Sequence, residues 1–346
     1  MKIFVSTIVL LMLAISQAQA GGSVGKGNRL ILTTYWGDDA VALIDIGGEN
    51  GKEEIWRIDT LKAAGCAKPY DIRASIKGDE AYTSCSGTDM IAVIDVVAQQ
   101  VKYTIKTGSS PRDLVLFDAG KKILVANSGS DTVSVIDISK KSKIYDFPIT
   151  NQPYGVAVAK DNVTAMITGW ASGDLHIVKL GETSAEYMGK IDVGLLPYTV
   201  VAPGDGDIAY VATNASHSVV AVDAKKIQIV ESVKVGRNPW SLAASPDGKS
   251  LLVTNNRSNN LSLLKTGTSI SNATSPQVFI SAGTQQQDNG EGIKRAPKNA
   301  SISADSKIAA FTDLANNQIV VIDLDTEKLI KIINVGKAPY GIEFIR

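Results

Sequence analysis

Residues 111–137 read PRDLVLFDAGKKILVANSGSDTVSVID. Three apolar runs, Leu114–Phe117, Ile123–Val125 and Val133–Ile136, are separated by Asp-Ala-Gly and by Asn-Ser-Gly-Ser, residues that favour turns over continued strand. The runs are too short for a helix to bury a face, and their β-branched residues suit a pleated sheet. The stretch also recurs. Its opening proline has counterparts at Pro69, Pro153, Pro197, Pro239, Pro297 and Pro339, so that successive copies start 42, 42, 44, 42, 58 and 42 residues apart. The third run usually ends in Asp, at Asp45, Asp95, Asp137, Asp223 and Asp323, with Lys179 and Lys265 in two copies. A weaker fourth run follows at Val101–Ile105, Tyr145–Ile149, Ile229–Val233 and Leu329–Val335.

Four short strands in a repeat of about 40–45 residues, without an amphipathic helix, are the pattern of a β-propeller blade. Pro339 opens a copy that stops at Arg346 after one run, while the N-terminal segment Leu30–Asp45 begins with the second run. The two fragments complete one blade, which ties the ring shut and removes its free edges. The expectation is an all-β, seven-bladed propeller of four-stranded antiparallel blades, closed by pairing N-terminal strands with the C-terminal strand and forming a single domain over residues 21–346.

Val235–Leu264 (VGRNPWSLAASPDGKSLLVTNNRSNNLSLL), together with LVANSGSDTVSVID at 124–137 and YVATNASHSVVAVD at 210–223, resembles the YVTN-type propeller repeats of exported bacterial and archaeal surface-layer proteins. The likeness covers nearly all of the chain after residue 20. It implies the fold and leaves the function open, because members of that family share scaffolding rather than activity.

Residues 1–20 read as a secretory signal. Lys2 precedes the apolar run Ile3–Ile15, and Ala18-Gln19-Ala20 is a small-x-small cleavage site. Cleavage after Ala20 would deliver the protein to the periplasm or the exterior. With 35 basic and 35 acidic residues, the chain gives no general argument for nucleic acid or an anionic membrane as partner. No other segment is long and apolar enough to span a membrane, and a monomer is expected. In an oxidising compartment Cys66 and Cys85, placed at the same end of one blade, are expected to form a disulfide.

Blade topology brings the connections between blades and the turns between second and third strands to one end of the ring. The residue after each opening proline belongs at that mouth: Tyr70, Arg112, Tyr154, Tyr198, Trp240, Lys298 and Tyr340. The turns add Tyr35 with Trp36, Trp170, His217 and Arg257, and Lys68, Arg237 and Lys337 precede three of the prolines. Aromatic faces with cations suit a flat or anionic ligand, although the same side chains could simply plug the channel. A polar insertion, residues 282–296, belongs to this end, and a second, 266–275, to the opposite one.

Catalytic motifs are scarce. The chain lacks CxxCH, CxxC, HExxH and GxSxG, and no metal or cofactor is implied. His176 reads as a packed strand residue. The Asp-Gly pairs at 205–206 and 247–248 read as hairpin turns rather than calcium loops. The expectation is an exported, non-catalytic propeller that binds a small molecule or a partner protein through its aromatic and basic mouth. The alternative is a propeller enzyme of lactonase or lyase type, drawing on His217, Asp71, Asp113 and Glu291, or a scaffold subunit like that of amine dehydrogenases. A purely structural surface-layer role is a third reading.

Overall fold

The computed structural model describes residues 29–49, 51–203, 208–266 and 295–345. Seven antiparallel sheets are arranged about one axis. Blade 1 combines the C-terminal strand Pro339–Phe344 with Leu30–Tyr35, Ala40–Asp45 and Glu54–Asp59, in that order from the axis outwards. Ile31 faces Phe344 and Thr33 faces Ile342, so the closure anticipated from the truncated repeats is formed. Blades 2 to 7 open with Pro69, Pro111, Pro153, Pro197, Pro239 and Pro297. Blades 2, 3, 4, 5 and 7 have four strands each, and the described part of blade 6 has three. The first strands of neighbouring blades touch one another around the axis.

Between the sheets lie apolar clusters that each draw on two adjacent blades. Leu124, Val133 and Phe147 of blade 3, for example, pack with Val156, Ile167 and Val178 of blade 4. Both faces of a blade are therefore buried, which is why its second and third strands read as nearly continuous apolar runs. The outer fourth strands alternate, as in Gln100–Lys106, where exposed and part-buried residues take turns.

Two polar devices join the blades at the proline end. In the first, a hydroxyl on the second strand accepts the N–H of a residue in its own blade and donates to a carbonyl of the next. Thr254 Oγ1 accepts from Ser241 N at 3.0 Å and donates to Lys298 O at 2.5 Å. Thr34, Ser84, Thr168 and Thr312 do the same towards Tyr70, Arg112, Tyr198 and Tyr340. Blade 5 has Ala212 at this place, and Thr199 on its first strand supplies the bond to Trp240 O at 2.9 Å. The approach is so close that at Gly341 an added Cβ would lie 2.8 Å from Tyr70 O.

In the second device the residue before each of six prolines has a left-handed backbone, from φ 50° at Ala338 to 59° at Gln152. In four of them the N–H is taken by an Asp or Asn turn residue of the preceding blade: Asp39 for Lys68 (2.6 Å), Asp89 for Ser110 (2.8 Å), Asp131 for Gln152 (2.8 Å) and Asn317 for Ala338 (2.8 Å). The acceptors are themselves left-handed, a conformation that Asp and Asn tolerate. The Asp that ends a third strand is a local cap, as when Asp137 accepts from Lys140 N at 3.0 Å. Asp247 likewise closes its hairpin, accepting from Lys249 N at 3.1 Å.

The chain contains one element that the repeat does not anticipate, a five-residue helix at Thr60–Ala64 in the connection from blade 1 to blade 2. Asp59 caps its start and left-handed Gly65 its end. Cys66 follows at once and is bonded to Cys85, both buried. No helix among the described residues is long and apolar enough to cross a membrane. The expected signal at residues 1–20, the turn at 204–207, Glu291 and most of the two insertions lie outside the described residues.

Thr254→Val keeps the shape and removes the hydroxyl, leaving the Ser241 N–H and the Lys298 carbonyl without their partner. Urea unfolding should show a loss of about 1–3 kcal/mol. A loss below a few tenths would mean that this hydroxyl does not join the blades.

Candidate functional site

Each blade contributes to the channel mouth the side chain that follows its opening proline, because the proline fixes the phase at which the first strand enters the ring. All seven converge. The rings of Tyr70 and Tyr340 are 4.2 Å apart at their centroids, those of Tyr154 and Tyr198 4.7 Å, and those of Tyr198 and Trp240 4.1 Å. Tyr70 and Trp240 also meet Tyr154 and Tyr340 edge-on at 6.0 and 6.4 Å. The hydroxyl of Tyr70 bonds to that of Tyr154 and, at 2.6 Å, to that of Tyr340. Only 5% of Tyr70 and 9% of Tyr340 is exposed, and burial raises both hydroxyl pKa values well above the ordinary tyrosine range. Burial lifts the half-buried Tyr198 to about 12.

Two cations belong to the same ring. The Arg112 guanidinium lies over Tyr70 at 4.9 Å and over Tyr154 at 5.6 Å, and its buried Nε has no hydrogen-bond partner. The Lys298 ammonium lies 3.1 Å from the centroid of Trp240 and 5.8 Å from that of Tyr340. Neither side chain has a carboxylate or any other hydrogen-bond partner among the described residues, although Lys298 is only 8% exposed. Burial alone lowers the Lys298 pKa from 10.5 to about 8.

One step further along the channel the chemistry reverses. Arg73 donates from Nη1 to Asp71 Oδ1 at 2.9 Å and from Nη2 to Asp113 Oδ1 at 3.1 Å, joining two carboxylates that occupy the same place in adjacent blades. The free oxygens accept backbone N–H groups, Asp71 from Leu114 at 3.3 Å and Asp113 from Val156 at 3.2 Å. Burial and then the charge of Asp71 push the Asp113 carboxyl well up, against the pull of Arg73. The two carboxylates carry Arg73 upward in turn, against its own desolvation. They border a small cavity of about 60 Å³ beneath the aromatic ring. A wider one of about 290 Å³ follows towards the opposite mouth, between Arg73, Glu343 and apolar residues such as Val158 and Ile302.

The remaining expected residues divide. Trp170 joins the cluster edge-on to Tyr198 at 6.2 Å. Trp36 is exposed at the same end with Lys68 Nζ 5.0 Å above its ring, so it belongs to the rim and not to the central stack. Arg257 is exposed and its backbone N–H binds Arg237 O at 3.2 Å. Tyr35 is fully buried and donates to Glu54 at 2.9 Å, which removes it from the mouth. His217 holds the left-handed turn position that is Asp or Asn in five other blades. Its Nδ1 lies 3.2 Å from Asn238 N and 2.9 Å from Asn214 O. His176 is buried, with Nδ1 3.2 Å from the Tyr187 hydroxyl, and burial lowers its pKa. The Asp71–Arg73–Asp113 pairing went unnoticed in the sequence, although an i, i+2 spacing on a strand and recurrence after 42 residues both signal a shared face.

The family described as YNCE-like beta-propeller matches residues 36–150. No curated protein matches the chain. Among solved structures, a functionally unknown protein from Desulfotomaculum acetoxidans DSM 771 is 12% identical with a TM-score of 0.76, over 91% of this chain and 98% of its own. Kuenenia stuttgartiensis hydrazine synthase is similar at 18% identity and a TM-score of 0.68, over 79% of this chain and 88% of that one. A streptogramin B lyase follows at 14% identity and 0.62, over 80% and 86%. At these identities the likeness is one of fold.

Two substitutions separate the charged layers. Arg73→Met leaves two buried carboxylates unpaired and should cost about 3–5 kcal/mol at pH 8. The loss should shrink as pH falls and Asp113, whose carboxyl burial holds high, takes up its proton, and a pH-independent loss in urea unfolding would reject the pairing. For Lys298 the folded pKa lies below the unfolded one, so between about 8 and 10 the unfolded chain binds more protons and stability rises with pH. Lys298→Met should therefore be the more stable protein at pH 7, by on the order of 1–3 kcal/mol. The gain should fade as pH approaches 10, and a destabilised variant at pH 7 would contradict it.

Proposed function

We propose that this chain is an exported, non-catalytic propeller of the YVTN-repeat kind. Its aromatic and basic end binds a small, flat anion or an anionic group on a partner protein. The observation that carries the reading is the pair of cations in the ring: Arg112 and Lys298 hold positive charge against tyrosine and tryptophan faces without an acidic partner among the described residues. Elsewhere in the channel a part-buried cation, Arg73, has two carboxylates. A ring that served only as a plug would be more stable with apolar or tyrosyl residues at those places. Export is supported by the signal-like residues 1–20 and by the Cys66–Cys85 disulfide, which persists in oxidising compartments.

The ligand-binding residues of this reading are Tyr70, Arg112, Tyr154, Tyr198, Trp240, Lys298 and Tyr340 with Trp170 beside them, and Trp36 and Arg257 at the rim. His217, on which the lactonase or lyase alternative chiefly depended, holds a repeat position that joins blades, and this weighs against a catalytic role.

The test compares benzoate with its neutral amide by the quenching of indole fluorescence. Benzoate should bind, the amide should bind at least about tenfold more weakly, and Arg112→Gln with Lys298→Met should remove the difference while the protein still unfolds cooperatively. Equal binding of acid and amide, or of benzoate by parent and double variant, would overturn the reading.

A further inference from the structure

Lys298 is an unusual choice for the place it occupies. The equivalent position is Tyr in four blades, Trp in one and Arg in one. Its side chain is nearly buried against the Trp240 face, and no described residue offers it a hydrogen bond or a counter-charge. A site that needs only to hold an anion is better served by a guanidinium, which stays charged and can bind in two prongs; the ring has one in Arg112. An amine desolvated among aromatic rings instead gives up its proton readily, and the free amine is a nucleophile towards carbonyl carbon. Its loss of charge near pH 8 agrees with this geometry.

We infer that Lys298 is a covalent capture site for 2-oxo acids, forming an imine with the carbonyl group while the Arg112 side of the ring attracts the carboxylate. The inference rests on the anion-binding reading of the same mouth and names the ligand class. The lone pair of Nζ adds to the carbonyl carbon, giving a carbinolamine that then loses water. The oxygen of that water comes from the carbonyl and its two hydrogens from the amine, so no oxidant or reductant takes part. The surrounding rings of Trp240 and Tyr340 limit access of water for the reverse reaction. Because 2-oxo acids are flat and anionic, they meet both demands of the ring.

The experiment treats the full-length exported protein with glyoxylate and cyanoborohydride, which fixes any imine as a secondary amine, and locates the product by peptide mass spectrometry. At pH 8 Lys298 should carry about tenfold or more of the adduct found on Lys68 and Lys337, exposed lysines of the same end. Its labelling should rise through pH 8, well below the rise for surface lysines. Arg112→Gln should slow labelling by glyoxylate severalfold but leave labelling by formaldehyde, which lacks a carboxylate, unchanged. Lys298→Arg should abolish the adduct. Labelling of Lys298 no faster than that of Lys68 and Lys337, or insensitive to Arg112→Gln, would overturn the inference. Benzoate binding measured on the same samples separates the two failures: if it persists without an adduct, only the imine is wrong, and if it too is absent, the anion-binding reading falls with it.

Discussion

The hydroxyl that stands between blades is the interaction on which the rest depends. A propeller has no continuous sheet across its blades, so the backbone groups at the inner edge of each must find partners sideways. Thr34, Ser84, Thr168, Thr254 and Thr312 bind the N–H of their own first strand and the carbonyl of the next. The carbonyl so held belongs to the residue after the proline, the one whose side chain enters the ring. The same bond that joins two blades therefore fixes the backbone of every residue but one at the mouth, Tyr154, whose preceding blade has Ala126 in the hydroxyl position and uses Asp113 to bind Val156 N–H instead. Blade 5 meets the same need through Thr199, from its first strand.

This arrangement explains why the architecture was legible in the sequence and the site only in part. The period, the prolines and the split blade all follow from backbone requirements that recur in every copy. The positions of Tyr70 to Tyr340 could be read because they share a phase relative to proline. Contacts among their side chains could not, since seven residues of different sizes fill one cross-section cooperatively. His217 was given more chemical weight than its place supports. Aligned by turn, it falls in a column with Asp39, Asp89, Asp131 and Asn317, where an acceptor for the neighbouring N–H is required. Tyr35 is set apart for a related reason: at the end of a strand one residue decides between the core and the mouth, and its ring is buried with the hydroxyl on Glu54 of the outer strand. The helix at Thr60–Ala64 has readable caps in Asp59 and Gly65 but too few residues to display a period.

Charge in the channel distinguishes what the scaffold needs from what it does not. Arg73 lies between Asp71 and Asp113, and each carboxylate also accepts a backbone N–H from the following blade. This is a buried network with its members satisfied, costly to break and plausible as a specification of blade order. At the next level towards the mouth, Arg112 and Lys298 have rings for neighbours and nothing of opposite sign among the described residues. Both levels lie on first strands, and Lys298 is buried where Arg73 is only part-buried, so burial by itself does not account for the difference.

The cation–π attraction offsets part of the cost of burying Lys298, on the order of 2 kcal/mol for a desolvated ammonium on an indole face. That attraction acts on the charged form, whereas desolvation favours the neutral one. The two effects oppose each other, and desolvation lowers the amine's pKa to about 8. A methionine of similar length would fill the same space without this tension. Retaining lysine makes sense where the change of charge is itself of use: the cation draws an anion into the mouth, and the free amine can then react with it.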